Sequence, residues 1–123
     1  MKFLTERNIE VENLKIYLTL FKLYKSYLLL ISDQRDMGIG NVTLGSPSVV
    51  KGVRSPTSSY NLFGMNGNLL STIIAEKATN TLNAPVLLLL FLKNKFEDEK
   101  IIKPIINFLK EVLEEILERN RSI

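Results

Sequence analysis

Val86-Leu87-Leu88-Leu89-Leu90-Phe91-Leu92 runs seven residues without a polar side chain. It closes a stretch that opens at Tyr60 with a short strand, turns at Gly64-Met65-Asn66-Gly67 and continues as a helix. A strand with one wet face alternates apolar and polar residues, because successive side chains point to opposite sides. This run does not alternate, so it must be covered on both faces. What covers the second face decides the architecture.

Reading outward, residues 66–82 form a helix. Leu69, Leu70, Ile73, Ile74, Ala78 and Leu82 recur at three- and four-residue spacing. Asn66 and Asn68 are candidate caps, and Asn83-Ala84-Pro85 stops the helix because a residue before proline disfavours it. Upstream, residues 2–11 make a weak strand that Glu12-Asn13 breaks. In 15–23, Ile16, Leu18 and Leu20 point one way and Tyr17, Phe21 and Leu23 the other. Tyr24-Lys25-Ser26 turns the chain into the apolar strand 27–32, and the short spacing predicts an antiparallel hairpin. Residues 41–44 and 58–63 read as two further strands. Between them lies a loop holding Gly45, Pro47, Gly52 and Pro56. The connection from the fifth strand through the helix to 86–92 is expected to be a parallel crossover.

The last helix carries a wide apolar face of Ile101, Ile102, Ile105, Ile106, Leu109, Val112, Leu113, Ile116 and Leu117. Glu97, Asp98 and Glu99 suit its start and Arg119 and Arg121 its end. Pro104 opposes a helix interior, so either regular helix begins near Pro104 after a looser turn, which is the favoured reading, or the helix is kinked there. The fold class is α+β: a mostly antiparallel sheet of five to six strands and two helices. Residues 1–123 are read as one domain.

Two helices cover one face of such a sheet. Three strands are apolar on both faces, and several bare leucines exceed the patch a monomer normally exposes. Either one helix lies on each face, or both share a face and a second chain packs sheet to sheet on the other. The second arrangement is favoured, with Tyr17, Leu28, Leu30, Leu88 and Leu90 as its candidate interface.

Composition narrows the chemistry. The 123 residues include no Cys and no His, which excludes disulfides, thiolate nucleophiles and Cys/His metal sites. No cofactor and no catalytic residue is expected. The absence of Cys and of an apolar leader fits a cytoplasmic protein. The longest apolar run is far below the roughly 20 residues that span a bilayer, so no membrane partner is expected. Residues 1–96 hold 11 basic and 6 acidic side chains, against 5 and 7 in residues 97–123. The cations are scattered without the dense stripe of a nucleic-acid binder, so no nucleic-acid partner is expected.

The motifs are sparse. Gly40-Asn41-Val42-Thr43-Leu44-Gly45-Ser46 starts like a phosphate-binding loop but lacks the lysine, and Pro47 opposes a following helix. A small-ligand or nucleotide-binding module built on the glycine loops is the alternative function. Gly64-Met65-Asn66-Gly67 is a weaker anion candidate than an ordinary turn. Asp33 and Asp36 flank Arg35 in a polar loop, the usual state of which is solvated charge.

Taken together, the chain resembles the small proteasome assembly chaperones of the third/fourth type, from about Leu14 to Leu117. The carrying features are Tyr27-Leu28-Leu29-Leu30-Ile31 with its polar loop, Asn41-Val42-Thr43-Leu44 after the glycines, and Ser59-Tyr60-Asn61-Leu62-Phe63-Gly64 before the first helix. The all-apolar strand and the final amphipathic helix complete the pattern. The resemblance implies a noncatalytic protein, a homodimer or a heterodimer with a paralogue. It also implies that the protein binds proteasome α-type subunits, promotes α-ring assembly and leaves before maturation. The sheets would face each other with the helices outside. The chain ends Arg121-Ser122-Ile123, without a hydrophobic-Tyr-any tail, so docking through such a tail is not expected. Exposure and charge make Arg35, Asp36, Met37, Lys51 and Arg54 the candidate contacts to the subunit.

Overall fold

A computed structural model of the chain describes residues 1–48, 56–61 and 68–121. Its strands are β1 (Lys2–Val11), β2 (Leu14–Leu23), β3 (Ser26–Ser32), β4 (Asn41–Gly45), β5 (Thr57–Asn61) and β6 (Val86–Phe91). The helices are α1 (Asn68–Leu82) and α2 (Asp98–Arg121). The strands form one sheet in the order β1-β2-β3-β6-β4-β5. The α+β class, the mostly antiparallel pairing and the β2–β3 hairpin match the sequence reading.

Two-residue turns join the first three strands. Val11 pairs with Leu14, and both residues between them, Glu12 and Asn13, take left-handed φ values. That geometry matches the twist of a hairpin. β3 then pairs with β6 in parallel, the single parallel pair of this sheet, and β4 joins β6 antiparallel. β5 and β6 run the same way with β4 between them. The chain therefore crosses over β4 through α1, as the crossover expectation required. The Leu82 end of α1 is followed by Asn83 at φ 50°, the left-handed residue that commonly ends a helix.

Both helices lie on one face. Pairing brings Leu20, Leu29 and Leu88 into one row and Leu18, Ile31 and Leu90 into the next, and all six are fully buried. α1 places Leu70, Ile74, Ala75, Ala78 and Leu82 against this face, and α2 adds Ile101, Ile105, Phe108, Leu109, Val112, Leu113 and Ile116. Each buried large aliphatic side chain contributes about 1.5–3 kcal/mol relative to exposure. Leu69, expected on the apolar stripe of α1, is 54% exposed, and Ile73 is half-buried. The far end of α2 is tied to the sheet edge: Arg7 pairs with Glu115, and the Arg119 guanidinium donates to the Leu4 carbonyl at 3.2 Å.

α1 approaches β4 closely. A Cβ on Gly45 would lie 2.8 Å from Thr79 Cγ2 and 3.2 Å from the Ala75 carbonyl. Ala75, Ala78 and Thr79 are small enough to permit that contact. Beside them, Asn41, Thr43 and Ser59 form a polar cluster. The Thr43 hydroxyl donates to Asn41 Oδ1 at 2.6 Å and lies 2.8 Å from Ser59 Oγ, which donates to the same Asn41 oxygen at 3.1 Å. Asn41 and Thr43 are buried and satisfied in this way, with Ser59 bonding them from the exposed edge strand.

The expectation that regular helix starts near Pro104 is corrected: α2 begins at Asp98 and runs through the proline. Proline removes the donor to the Lys100 carbonyl. Lys100 lies on the exposed side, where water can satisfy that oxygen, while Ile101 and Ile105 are both buried and hold the turns on either side in place. The expected strand end at 62–63, the helix start at 66 and the turn at 64–67 lie outside the described residues.

The segment 33–40 is pinned to the sheet by Asp33. Its Oδ1 accepts the Lys93 amide at 3.0 Å, and its Oδ2 accepts the Asn94 amide at 2.8 Å and the Asn94 side-chain amide at 2.9 Å. Asp33 is 8% exposed, so this carboxylate is a structural clamp rather than solvated loop charge. Replacing Asp33 by Ala leaves the two backbone amides and the Asn94 side-chain amide without their acceptor and is expected to cost about 2–3 kcal/mol in urea unfolding; a change below about 0.5 kcal/mol would remove the clamp from the account. Gly45→Val should destabilise by about 1–3 kcal/mol through overpacking against α1; an unchanged denaturation midpoint would contradict the close approach.

Candidate interaction surface on the second sheet face

The face opposite the helices is built by the other half of the alternation. One row across the sheet is Phe3, Phe21, Leu28, Leu87, Leu44 and Ser58. The next carries Glu6, Thr19, Leu30, Leu89 and Val42. From β2 to β4, therefore, the centre of both rows is apolar apart from Thr19. Leu28, Leu30, Leu87, Leu89 and Val42 are half-buried by their neighbours in the sheet. Leu44 is 48% exposed and Phe3 54%, with the Phe3 ring edge-on to Phe21 at 5.9 Å between centroids. Contiguous apolar area of this kind marks an interaction surface.

The expected interface residues divide by parity. Tyr17, Leu28 and Leu30 stand on this face. Leu88 and Leu90 do not: they are fully buried beneath the helices, because β6 pairs with β3 in the register Leu28–Leu87 and Leu30–Leu89. The residues of β6 on the second face are Leu87, Leu89 and Phe91.

The two ends of the face differ. At one end the segment 33–40 crosses above Phe91, and a Cβ on Gly38 would lie 2.7 Å from the Phe91 ring, so only glycine lets the backbone pass so close. Arg35 and Asp36 are exposed on this segment and Met37 is half-buried. At the other end, Leu23, Leu44, Pro85 and Leu87 line an apolar cleft of 440 Å³, rimmed by Tyr24 and Lys25. Lys51 and Arg54 lie outside the described residues, so the structure brings together only Arg35, Asp36 and Met37 of the five charge-based candidates.

Among the described residues nothing makes a phosphate loop. Asn41–Gly45 is a strand, Gly38 seats on Phe91 and Gly45 on α1, so both glycines are occupied by packing. The Gly64–Gly67 turn lies outside the described residues. Among the described residues no group of three acidic side chains is placed to hold a metal ion, and no helix is long and apolar enough to cross a membrane. Sequence reasoning missed the Gly38–Phe91 contact and the Asn41–Thr43–Ser59 cluster, neither of which has a local signature.

No family model and no curated protein matches this sequence. Its fold does match solved structures. One is a chain from the crystal structure of a chaperone complex for yeast 20S proteasome assembly, with a TM-score of 0.59 and 12% identity over 95% of each chain. At that identity the likeness is one of fold alone, over nearly the whole length of both chains.

Proposed function

We propose that this protein is a noncatalytic assembly chaperone that binds a proteasome α-type subunit and promotes core-particle assembly as a cytoplasmic dimer. The observation that carries the reading is the apolar second face of the sheet, on a fold shared with a chain of a yeast 20S proteasome chaperone complex. Two apolar rows spanning four strands are chemistry for association rather than for turnover. The dimer forms by packing these faces together, burying Leu28, Leu30, Leu87 and Leu89 as a domain core is buried. The exposed Arg35 and Asp36, with Met37 beside them, are the proposed contacts to the subunit. Binding of one subunit state shifts the population toward that state by mass action, without any chemical step.

Two measurements test this. Immobilised protein is expected to retain at least one α-type subunit of the same organism when the subunits are presented singly; retention of none would overturn the assembly role. Light scattering at about 100 µM is expected to give twice the chain mass. Leu30→Glu, its fold checked by circular dichroism, is expected to give the monomer, because an unpaired charge in an apolar interface costs several kcal/mol. A wild-type monomer, or a Leu30→Glu variant that stays dimeric, would contradict the face-to-face arrangement.

A further inference from the structure

The cleft at the Tyr24–Lys25 end of the second face has apolar walls and a positive rim. Leu23, Leu44, Pro85 and Leu87 form the walls of its 440 Å³, and among the described residues that line it Lys25 alone carries a full charge. The Lys25 ammonium lies 5.4 Å from the centre of the ring of Tyr24, which is 85% exposed on the turn between β2 and β3. Lys22, whose ammonium lies 4.3 Å over the ring of Tyr27, and Lys2, which pairs across from Lys22, add positive charge at the same end of the sheet. Lys25 takes φ 52°, in a turn position that favours Gly or Asn. Backbone strain of this kind collects where a side chain is used for contact with a ligand.

We infer that this cleft docks a peptide segment of another protein that carries a bulky apolar side chain next to a carboxylate. The walls take the apolar side chain, and the Lys25 ammonium pairs with the carboxylate. The nearby polar groups are already used: the Tyr27 amide donates to the Pro85 carbonyl at 3.0 Å, and the Ser26 hydroxyl donates to the Tyr24 carbonyl at 3.0 Å. A ligand rich in polar groups, such as a nucleotide, therefore finds few partners here. An apolar group beside one anion finds both of its partners. A free amphipathic carboxylate shares that chemistry, but small ligands bind where most of their surface is buried. Tyr24 and Leu44 both line this cleft and both stay exposed, so it is too open for that. A peptide needs to bury only one side chain in it. Such docking is separate from the dimer proposed above, because Tyr24 and Lys25 lie past Leu23–Ser26, the last pair of the β2–β3 hairpin.

The probe is the acetylated, amidated peptide Gly-Ser-Glu-Phe-Glu-Ser-Gly, compared with a version in which both glutamates become lysine and with decanoate as a free carboxylate. Each is titrated into the full chain with its leucine methyls labelled for NMR. The glutamate peptide is expected to shift the methyls of Leu23, Leu44 and Leu87 and to leave those of the buried Leu88 and Leu90 in place. The lysine peptide is expected to bind roughly tenfold more weakly, and Lys25→Gly to weaken the glutamate peptide roughly threefold, the scale of an exposed charge pair. Glycine suits the left-handed position, so Lys25→Gly is expected to keep the melting midpoint of the wild type. No shift at millimolar glutamate peptide, equal binding of the two peptides, or undiminished binding to Lys25→Gly overturns this docking. Binding of decanoate without the peptide overturns the peptide as occupant. Retention of an α-type subunit and the mass in light scattering are read separately, so this docking can fail while the assembly role stands.

Discussion

Two helices cover one face of a sheet whose central strands are apolar on both. Strand geometry makes this a hard constraint, since alternate side chains must point to opposite sides. The inner half of the alternation, from Leu18 and Leu20 through Leu29 and Ile31 to Leu88 and Leu90, is sealed completely beneath α1 and α2. Among the described residues the outer half is left with only its neighbours in the sheet, apart from Phe91, which the segment 33–40 crosses. The parallel β3–β6 pair sits at the centre of this asymmetry, and parallel pairs are ordinarily buried on both sides. The closeness of α1 to β4, through Gly45 against Ala75 and Thr79, serves to complete the inner seal and offers nothing to the outer face.

The polar groups of the interior are committed to structure. Asp33 clamps the turn after β6, and Asn41, Thr43 and Ser59 bond one another beside α1. What remains for function is surface: two apolar rows, a raised segment at one end and a cleft at the other. Such a surface is suited to association, and the likeness to a chain of a yeast proteasome chaperone complex is one of fold.

Much of this was legible in the sequence, and the parts that were not share a physical cause. The opposite orientations of Ile16, Leu18 and Leu20 against Tyr17 and Phe21 follow from local alternation, and the structure keeps them. In Val86–Phe91 every residue is apolar, so nothing local marks which leucines face the helices. Only the register with β3 decides it, and that register puts Leu87 and Leu89, not Leu88 and Leu90, on the second face. Pro104 misled for a similar reason: its local penalty was legible, whereas the burial of Ile101 and Ile105 that overrides it depends on where α2 packs. The seat of Gly38 on Phe91 joins residues more than fifty apart and leaves no trace in either segment.

The parity of β6 gives the most direct test of whether another chain covers the second face. With leucine methyls labelled, a soluble paramagnetic probe reports the shielding of each side chain. At concentrations of a few hundred micromolar, the methyls of Leu87 and Leu89 should be shielded as fully as those of Leu88 and Leu90. On dilution Leu87 and Leu89 should become accessible, together with Leu28 and Leu30 of the same face, while Leu88 and Leu90 stay shielded. If Leu87 and Leu89 stay accessible to the probe at every concentration while Leu88 and Leu90 are protected, the second face is not covered by another chain.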